Sequence, residues 1–311
     1  MKKTILQREK IIIDTDPGHD DALAIMLLSK SGLFDIQAVT TVAGNSTIQN
    51  VTRNARYIMD LIGCKAPLFS GAEKPLAREL VQANVHGSTG LAGVSISKKE
   101  KLSGNAVEKI ISLIRTYPNE ISIVMIGPET NIAEAFIKDK ELPQLVKRLV
   151  IMGGAIAVPG NKNRVAEFNI FVDPEAARVV FDAPVEKILV PLDVCNSIVL
   201  TLDEFKRIKS PLLREPVVSM MKEYIKGIQH EEMVRGALLY DPLAAYYLIN
   251  PRAFKLKLMD IKIETAGEFT MGMTVADRRI WGMQQPNVSV AIEIDGKSFV
   301  RDFFRVLDLT S

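Results

Sequence analysis

Apolar and polar positions change period along this chain in a regular way. Ile11-Ile12-Ile13 is a β-branched run that enters a turn at Pro17-Gly18, and an apolar, helix-like segment, Ala22 to Leu28, follows at once. Ile36 to Val42 reads as a strand ending in Ala43-Gly44-Asn45, and Thr47 to Ile62 carries helical spacing with Gly63 as its stop. Val107 to Ile114 is a further helix, Ile121 to Ile126 a strand closed by Gly127-Pro128, and Asn131 to Ile137 a helix. Leu149 to Met152 is a strand ending in Gly153-Gly154. Pro174 to Phe181 is a helix with Asp173 as cap and proline at its first position, and Ile188 to Pro191 is a strand. The pattern then turns mostly helical from Leu202 to Ile249, with a break near Lys209-Ser210-Pro211. Lys255 to Thr265 and Val288 to Ile294 alternate like half-exposed strands, and Phe299 to Leu309 suits a closing helix.

Alternating strands and helices predict an α/β fold: an open, mostly parallel sheet with helices on both faces and a helical segment near 202–249. Ligands of such sheets bind beyond the carboxyl ends of the strands. Several exits here carry polar or glycine-rich residues, so Asp14 to Asp21, Gly44-Asn45, Gly127 to Asn131 and Gly153-Gly154 are expected to meet. No repeat, low-complexity tract or linker-like composition divides the chain, which predicts one domain over residues 1–311.

Composition narrows the classes without choosing among enzymes. Hydrophobic residues make up 47% and charged ones 24% of the 311 positions, which is enough apolar material for a sizeable core. A net charge of +2 gives no global field for nucleic acid or an anionic membrane. The charged Met1 to Lys10 segment has no signal-type apolar stretch behind it, and no run is long enough to span a bilayer, so a cytoplasmic location is expected. Cys64 and Cys195 have no ligand-type spacing and read as reduced structural thiols.

The concentrated chemistry lies in the first strand-turn-helix joint, where Asp14, Asp16, Asp20 and Asp21 crowd together. Like charges at ~4 Å repel by up to ~4 kcal/mol per pair at an effective dielectric near 20. Turn shaping and helix-terminus charge account for two or three of the four. Four at one strand's end point to a cation. An all-oxygen set suits a hard ion, calcium or less comfortably magnesium, and no Cys/His cluster supports zinc. Asn161, Glu167 and Asn169, between a glycine-rich strand exit and a capped helix, supply donors and acceptors for a polyhydroxylated ligand such as a sugar, or else form a solvated loop. Asp241 is either a helix cap or part of the site.

The stretch Asp14-Thr15-Asp16-Pro17-Gly18-His19-Asp20-Asp21 resembles the N-terminal signature of the nucleoside hydrolases, the inosine–uridine-preferring and ribonucleoside hydrolase type. The likeness extends through Val42-Ala43-Gly44-Asn45, His86 to Gly90, Thr130 to Ala133, Met152-Gly153-Gly154, Ala166 to Asn169, Asp173 to Ala177, Asp241-Pro242 and Gly272 to Asp277. It implies a homo-oligomer with a bound calcium ion that hydrolyses the N-glycosidic bond of ribonucleosides to ribose and free base, in purine and pyrimidine salvage. Position by position it implies Asp16, Asp21, Asp241 and the backbone carbonyl of Ile126 as ligands of Ca2+. Asp16 would also be the general base for the water that the ion holds. Asp20, Asn45 and Asn169 would contact ribose hydroxyls, Asn161 and Glu167 the 5′ end and Met152 the underside of the sugar, with Asp14 as support.

The sequence departs from the pattern at one place. Many members carry histidine before the late Asp-Pro, as the group that protonates the departing base, whereas this chain has Tyr240. A phenol is a weaker acid than imidazolium, so Tyr240 is either a hydrogen-bond donor or a wall of the pocket. His86 is the alternative base-side candidate. His19 reads as exposed or packing, and His230, beside Glu231 and Glu232, as lying near the edge of the base pocket. Two rival functions stay open at this stage. One is an aspartate-based phosphatase using Asp14 and Asp16 with magnesium. The other is a nucleoside- or ribose-binding protein that has lost leaving-group activation.

Overall fold

A computed structural model describes residues 8–97, 104–231, 233–279 and 285–309. Most of the Met1 to Lys10 segment, and Glu232 beside His230, lie outside the described residues. The run Ile11–Ile13 is wholly buried and forms the middle of β1 (Glu9–Thr15), which leads through the Pro17-Gly18 turn into α1 (His19–Lys30). The chain continues through β2 (Phe34–Thr41), α2 (Ile48–Leu61), β3 (Leu68–Ser70), α3 (Ala106–Thr116), β4 (Ile121–Met125) and α4 (Thr130–Lys138). Next come β5 (Arg148–Met152), α5 (Phe168–Val172), α6 (Pro174–Asp182), β6 (Lys187–Val190) and α7 (Leu192–Cys195).

The region expected to be helical contains α8 (Leu202–Phe205), α9 (Pro211–Glu231) and α10 (Tyr240–Ile249). It also holds a short antiparallel pair, β7 (Val199–Leu200) with β8 (Ala237–Leu238). Proline opens α9 at the expected break, where its missing N–H costs nothing. Beyond it lie β9 (Phe254–Met259), β10 (Ile261–Ile263), β11 (Thr274–Ala276), β12 (Val288–Ile294) and α11 (Gly296–Leu307).

The main sheet runs β3-β2-β1-β4-β5-β6-β12-β9, parallel except for β9. It is open, as the alternating pattern required. One large apolar cluster packs α1, α9, α10 and α11 on one face, and a second packs α3, α4 and α6 on the other. The single strand expected over Lys255 to Thr265 is in fact two. Alternation is lost within β9, where Lys255 to Leu258 are all exposed between the buried Phe254 and Met259. Asn287 holds the corner, donating its N–H to the Met259 carbonyl and accepting the Ile261 N–H on its side chain. β10 then leaves the sheet to pair with β11.

Strand order reverses between β1 and β4, the switch point at which ligands bind in such sheets. The helices that matter there, α1 and α10, are apolar nearly all round. His19 to Leu28 and Tyr240 to Leu248 are buried, as expected of central helices packed on each other. Among the described residues no helix is long and apolar enough to cross a membrane.

Candidate active site

The floor of the site is the β1–α1 joint. Asp14 sits opposite Thr40 on β2 and accepts that residue's hydroxyl and, at 2.8 Å, the Asn131 amide. It braces two strands and α4 together, and burial pushes its pKa up to about 7. Asp21 accepts the Thr15 hydroxyl at 2.6 Å, the Gly18 N–H at 2.9 Å, and the Asp16 N–H and Asn45 amide at 3.2 Å each. The bond to Gly18 is the ordinary reach of a third-position acid to its helix start, so Asp21 also serves the structural purpose expected of an acid there. Asp16 accepts the Asn45 N–H at 2.6 Å through one oxygen, while the other, Oδ1, is buried with no hydrogen-bond partner. Gly44 and Gly127 face that carboxylate, and a Cβ on either would collide with it.

Asp241 is not a helix cap. α10 begins at Tyr240 with Leu239 before it, and the Asp241 side chain turns to α1 instead. Asp20, Asp21 and Asp241 offer oxygens within 4.8 Å of one another, all buried. This grouping has Asp20 where the resemblance had Asp16, which abuts it through Asp21. Burial first, and the other carboxylates second, push Asp16, Asp20 and Asp241 well above the usual carboxylate range. The first turns of α1 and α10 supply positive helix ends, which offset part of that repulsion. An orphaned buried oxygen within an oxygen-only donor set fits a hard divalent cation.

Above this floor lies a cavity that opens to solvent. Asp20, Asn45, His86, Ile126, Met152, Asn161, Glu167, Asn169, Tyr240 and Asp241 all line it, from seven separate stretches of sequence. Asp16 and Asp21 lie beneath, fully buried. Glu167 is also the N-cap of α5, accepting the N–H groups of Asn169, Gly154 and Ile170 at 2.9–3.2 Å, and burial pushes it up to about 7. Asn161 accepts the Phe168 N–H at 3.0 Å, and the Asn169 amide reaches the Met152 carbonyl at 3.3 Å.

The opposite wall is aromatic. His86, His19 and Tyr224 form a triangle of rings, with each pair of centroids 5.2–5.4 Å apart. His19 is therefore packed, not exposed. Its Nε2 lies 2.9 Å from the Ala92 carbonyl, which only accepts, so that nitrogen carries a proton. The Nδ1 atoms of His19 and His86 are 2.9 Å apart and share one proton at most in the neutral pair. Burial pushes the His19 pKa down to about 4. Burial, together with the charge on His19, drives His86 well below the usual histidine range. With Nδ1 engaged, Nε2 is the His86 nitrogen left for a ligand, on a ring that is neutral at physiological pH. His230 is exposed and does not line the cavity, although its neighbour Glu231 does.

Sequence reading missed Tyr224, Ile228 and Glu231, which line the cavity from one face of α9, and Lys162 and Phe168. Their spacing, four and then three residues, was the one available signal, and any amphipathic helix shows it. Among the described residues both cysteines are free.

Comparison with known proteins agrees with this geometry. A family model described as inosine-uridine preferring nucleoside hydrolase matches residues 11–301. The pyrimidine-specific ribonucleoside hydrolase RihA of Salmonella typhimurium is 36% identical over 299 residues, covering 93% of this chain and 95% of that protein. Among solved structures, the plant nucleoside hydrolase PpNRh1 superposes with a TM-score of 0.91 at 28% identity, covering 97% of this chain and 99% of that one. A purine-preferring ribonucleoside hydrolase from Gardnerella vaginalis gives 0.89 at 28%, covering 96% and 98%. The open, mostly parallel sheet thus has its counterpart in a known group of enzymes: this chain belongs to the inosine–uridine-preferring nucleoside hydrolase family.

Proposed function

We propose that this nucleoside hydrolase is calcium-dependent, acts on ribonucleosides for base salvage, and uses Asp16 as its general base. The observation that carries the reading is the Asp16 carboxylate: fixed on one oxygen by the Asn45 N–H, buried and unpartnered on the other, and set among Asp20, Asp21 and Asp241. Asp16, Asp21, Asp241 and the Ile126 carbonyl would hold the ion. When bound, calcium supplies the positive charge that offsets these carboxylates and makes water a better acid.

Asp16 takes the proton as water attacks the anomeric carbon. Asp20, Asn45 and Asn169 grip the ribose hydroxyls, Asn161 and Glu167 the 5′ end, and Met152 packs beneath the ring. Positive charge grows on the sugar as the bond to the base lengthens, and a carboxylate-lined floor favours that charge. On the leaving side, the Tyr240 phenol can donate a hydrogen bond to the base. Neutral His86 offers Nε2, a donor when Nδ1 accepts the His19 N–H and an acceptor when Nδ1 holds the proton toward His19. The higher identity to a pyrimidine-specific relative than to the structurally matched purine-preferring one makes uridine and cytidine the first substrates to assay. A cytoplasmic homo-oligomer is the form we infer, and light scattering reads its size.

The test is a nucleoside panel beside p-nitrophenyl riboside, whose phenolate leaves unaided. Asp16→Ala is expected to abolish cleavage of every substrate, the probe included. Probe cleavage at the wild-type rate in that variant would remove Asp16 from water activation. Binding of nucleosides with no turnover even of the probe would leave a ribose-binding protein instead.

A further inference from the structure

Four buried carboxyl groups face one another behind the sugar-side wall: Asp14 at the end of β1, Glu129 before α4, Glu167 before α5 and Asp173 before α6. Three of them are furnished with donors. Asp173 accepts the N–H groups of Leu76 and Ala176 at 2.8 and 3.0 Å and the Thr130 hydroxyl at 2.7 Å. Glu167 accepts three backbone N–H groups, and Asp14 accepts the Thr40 hydroxyl and the Asn131 amide. Glu129 accepts nothing. Both its oxygens are buried without a hydrogen-bond partner. It holds the N-cap position of α4, yet its side chain makes no capping bond.

An interior carboxylate with no donor is costly, whereas a neutral carboxylic acid brings its own O–H and needs only an acceptor. The charged groups facing Glu129 are Glu167, Asp173 and Asp14, all acceptors when ionised. Glu175, on the first turn of α6, is turned away to Arg78 by two bonds of 2.6 and 2.8 Å. Asp14 lacks a donor at Oδ2 alone, whereas among the described residues Glu129 lacks one at both oxygens. Glu129 is therefore where a proton does most to resolve the arrangement. Burial and the like charge of Glu167 press in the same direction.

We infer that Glu129 is a positioning residue, a buried carboxylic acid that lends its O–H to the surrounding carboxylates and keeps Glu167 seated on its three N–H groups at the cavity wall. Ionisation of Glu129 would add a fourth negative charge behind Glu167 and loosen that seat. This inference rests on the reading of Glu167 as a sugar contact.

The experiment compares wild type with Glu129→Gln, neutral and still a donor, and Glu129→Leu, neutral without one. The infrared difference spectrum of wild type minus E129Q at neutral pH is expected to show the carbonyl stretch of a protonated carboxyl group, and its absence overturns the inference. The KM for uridine is expected to match wild type in E129Q at neutral pH. In alkaline solution it should stay flat in E129Q where wild type rises. E129L should raise KM about fivefold at every pH, with kcat changed less, as loss of one buried hydrogen bond would do. Identical pH profiles of KM in wild type and E129Q overturn the positioning role. The infrared measurement reads Glu129 whether or not a nucleoside is turned over, so failure of the functional reading and failure of this inference are separable.

Discussion

The floor of the cavity and its aromatic wall are built on different principles. On the floor, nearly every side chain belongs to a strand end or to the first turn of a helix, and hydrogen-bond donors fix them: Asp21 takes the Gly18 and Asp16 N–H groups, Asp16 the Asn45 N–H, and Asp14 the side chains of Thr40 and Asn131. Charge is the organising quantity there, and a misplaced carboxylate costs the whole arrangement. The wall is assembled from the loop before Gly87 and from α9, and three stacked rings organise it. Shape and tautomer matter on that side. On the proposed reading, water activation falls to the floor and base recognition to the aromatic wall.

This division can be broken by experiment. The largest effect is expected from stripping divalent ions. Exhaustive chelation should lower kcat/KM at least ~100-fold on uridine and p-nitrophenyl riboside alike, since the ion is worth several kcal/mol. Calcium should restore activity and raise the melting temperature by linkage. An unchanged melting temperature after calcium addition would show that the floor is not where the ion binds. A smaller, selective effect is expected at the wall. Tyr240→Phe should lower kcat/KM on uridine about tenfold, the value of one hydrogen bond, and leave the probe nearly untouched. Equal losses on both substrates would assign Tyr240 to the floor's chemistry.

The smallest effect concerns pH and stability. His19 titrates near 4 in the folded chain and near ~6.5 unfolded, so between those values the unfolded chain binds more protons. The contribution of His19 is fully present above ~6.5 and is lost as pH falls toward 4. Buried carboxylates with raised values, such as Asp14 and Glu167, slope the other way over the same range. The effect is therefore read as the difference in urea midpoint between wild type and His19→Gln, which should narrow on acidification from pH 7 to 5. A difference constant across that window would show that His19 keeps its proton in the fold.

Much of the floor was legible because its signals are local. A β-branched run, a Pro-Gly turn and four aspartates lie within eleven consecutive residues, Ile11 to Asp21. Asp241 was legible only as one of two alternatives, a helix cap or part of the site, with a ligand role added by the family resemblance. In isolation an acid at a helix start reads as a cap, and only the packing of α10 on α1 shows otherwise. The wall left weaker traces. Tyr224, Ile228 and Glu231 look like any helical face until α9 is laid beside the loop that carries His86. His19 was underestimated for a similar reason, since its partners Ala92 and His86 are more than sixty residues away. Glu129 sits in the Gly127 to Asn131 strand exit, which was expected to meet the other exits, yet nothing local shows that buried carboxyl groups converge on it. Asp260 marks the end of β9 only because Asn287 is available to hold the corner.

The meeting of α1 with α10 has a consequence for the order of events in the cell. The carboxylates it brings together stand 220 positions apart in the chain, at residues 21 and 241. While a ribosome is still making the last third of the protein, the aspartate motif is finished but α10 does not yet exist. A nascent chain therefore offers only a local, incomplete set of oxygens. On the proposed reading, ion capture waits for α10, and a product that stops short of it would be marked by its failure to load.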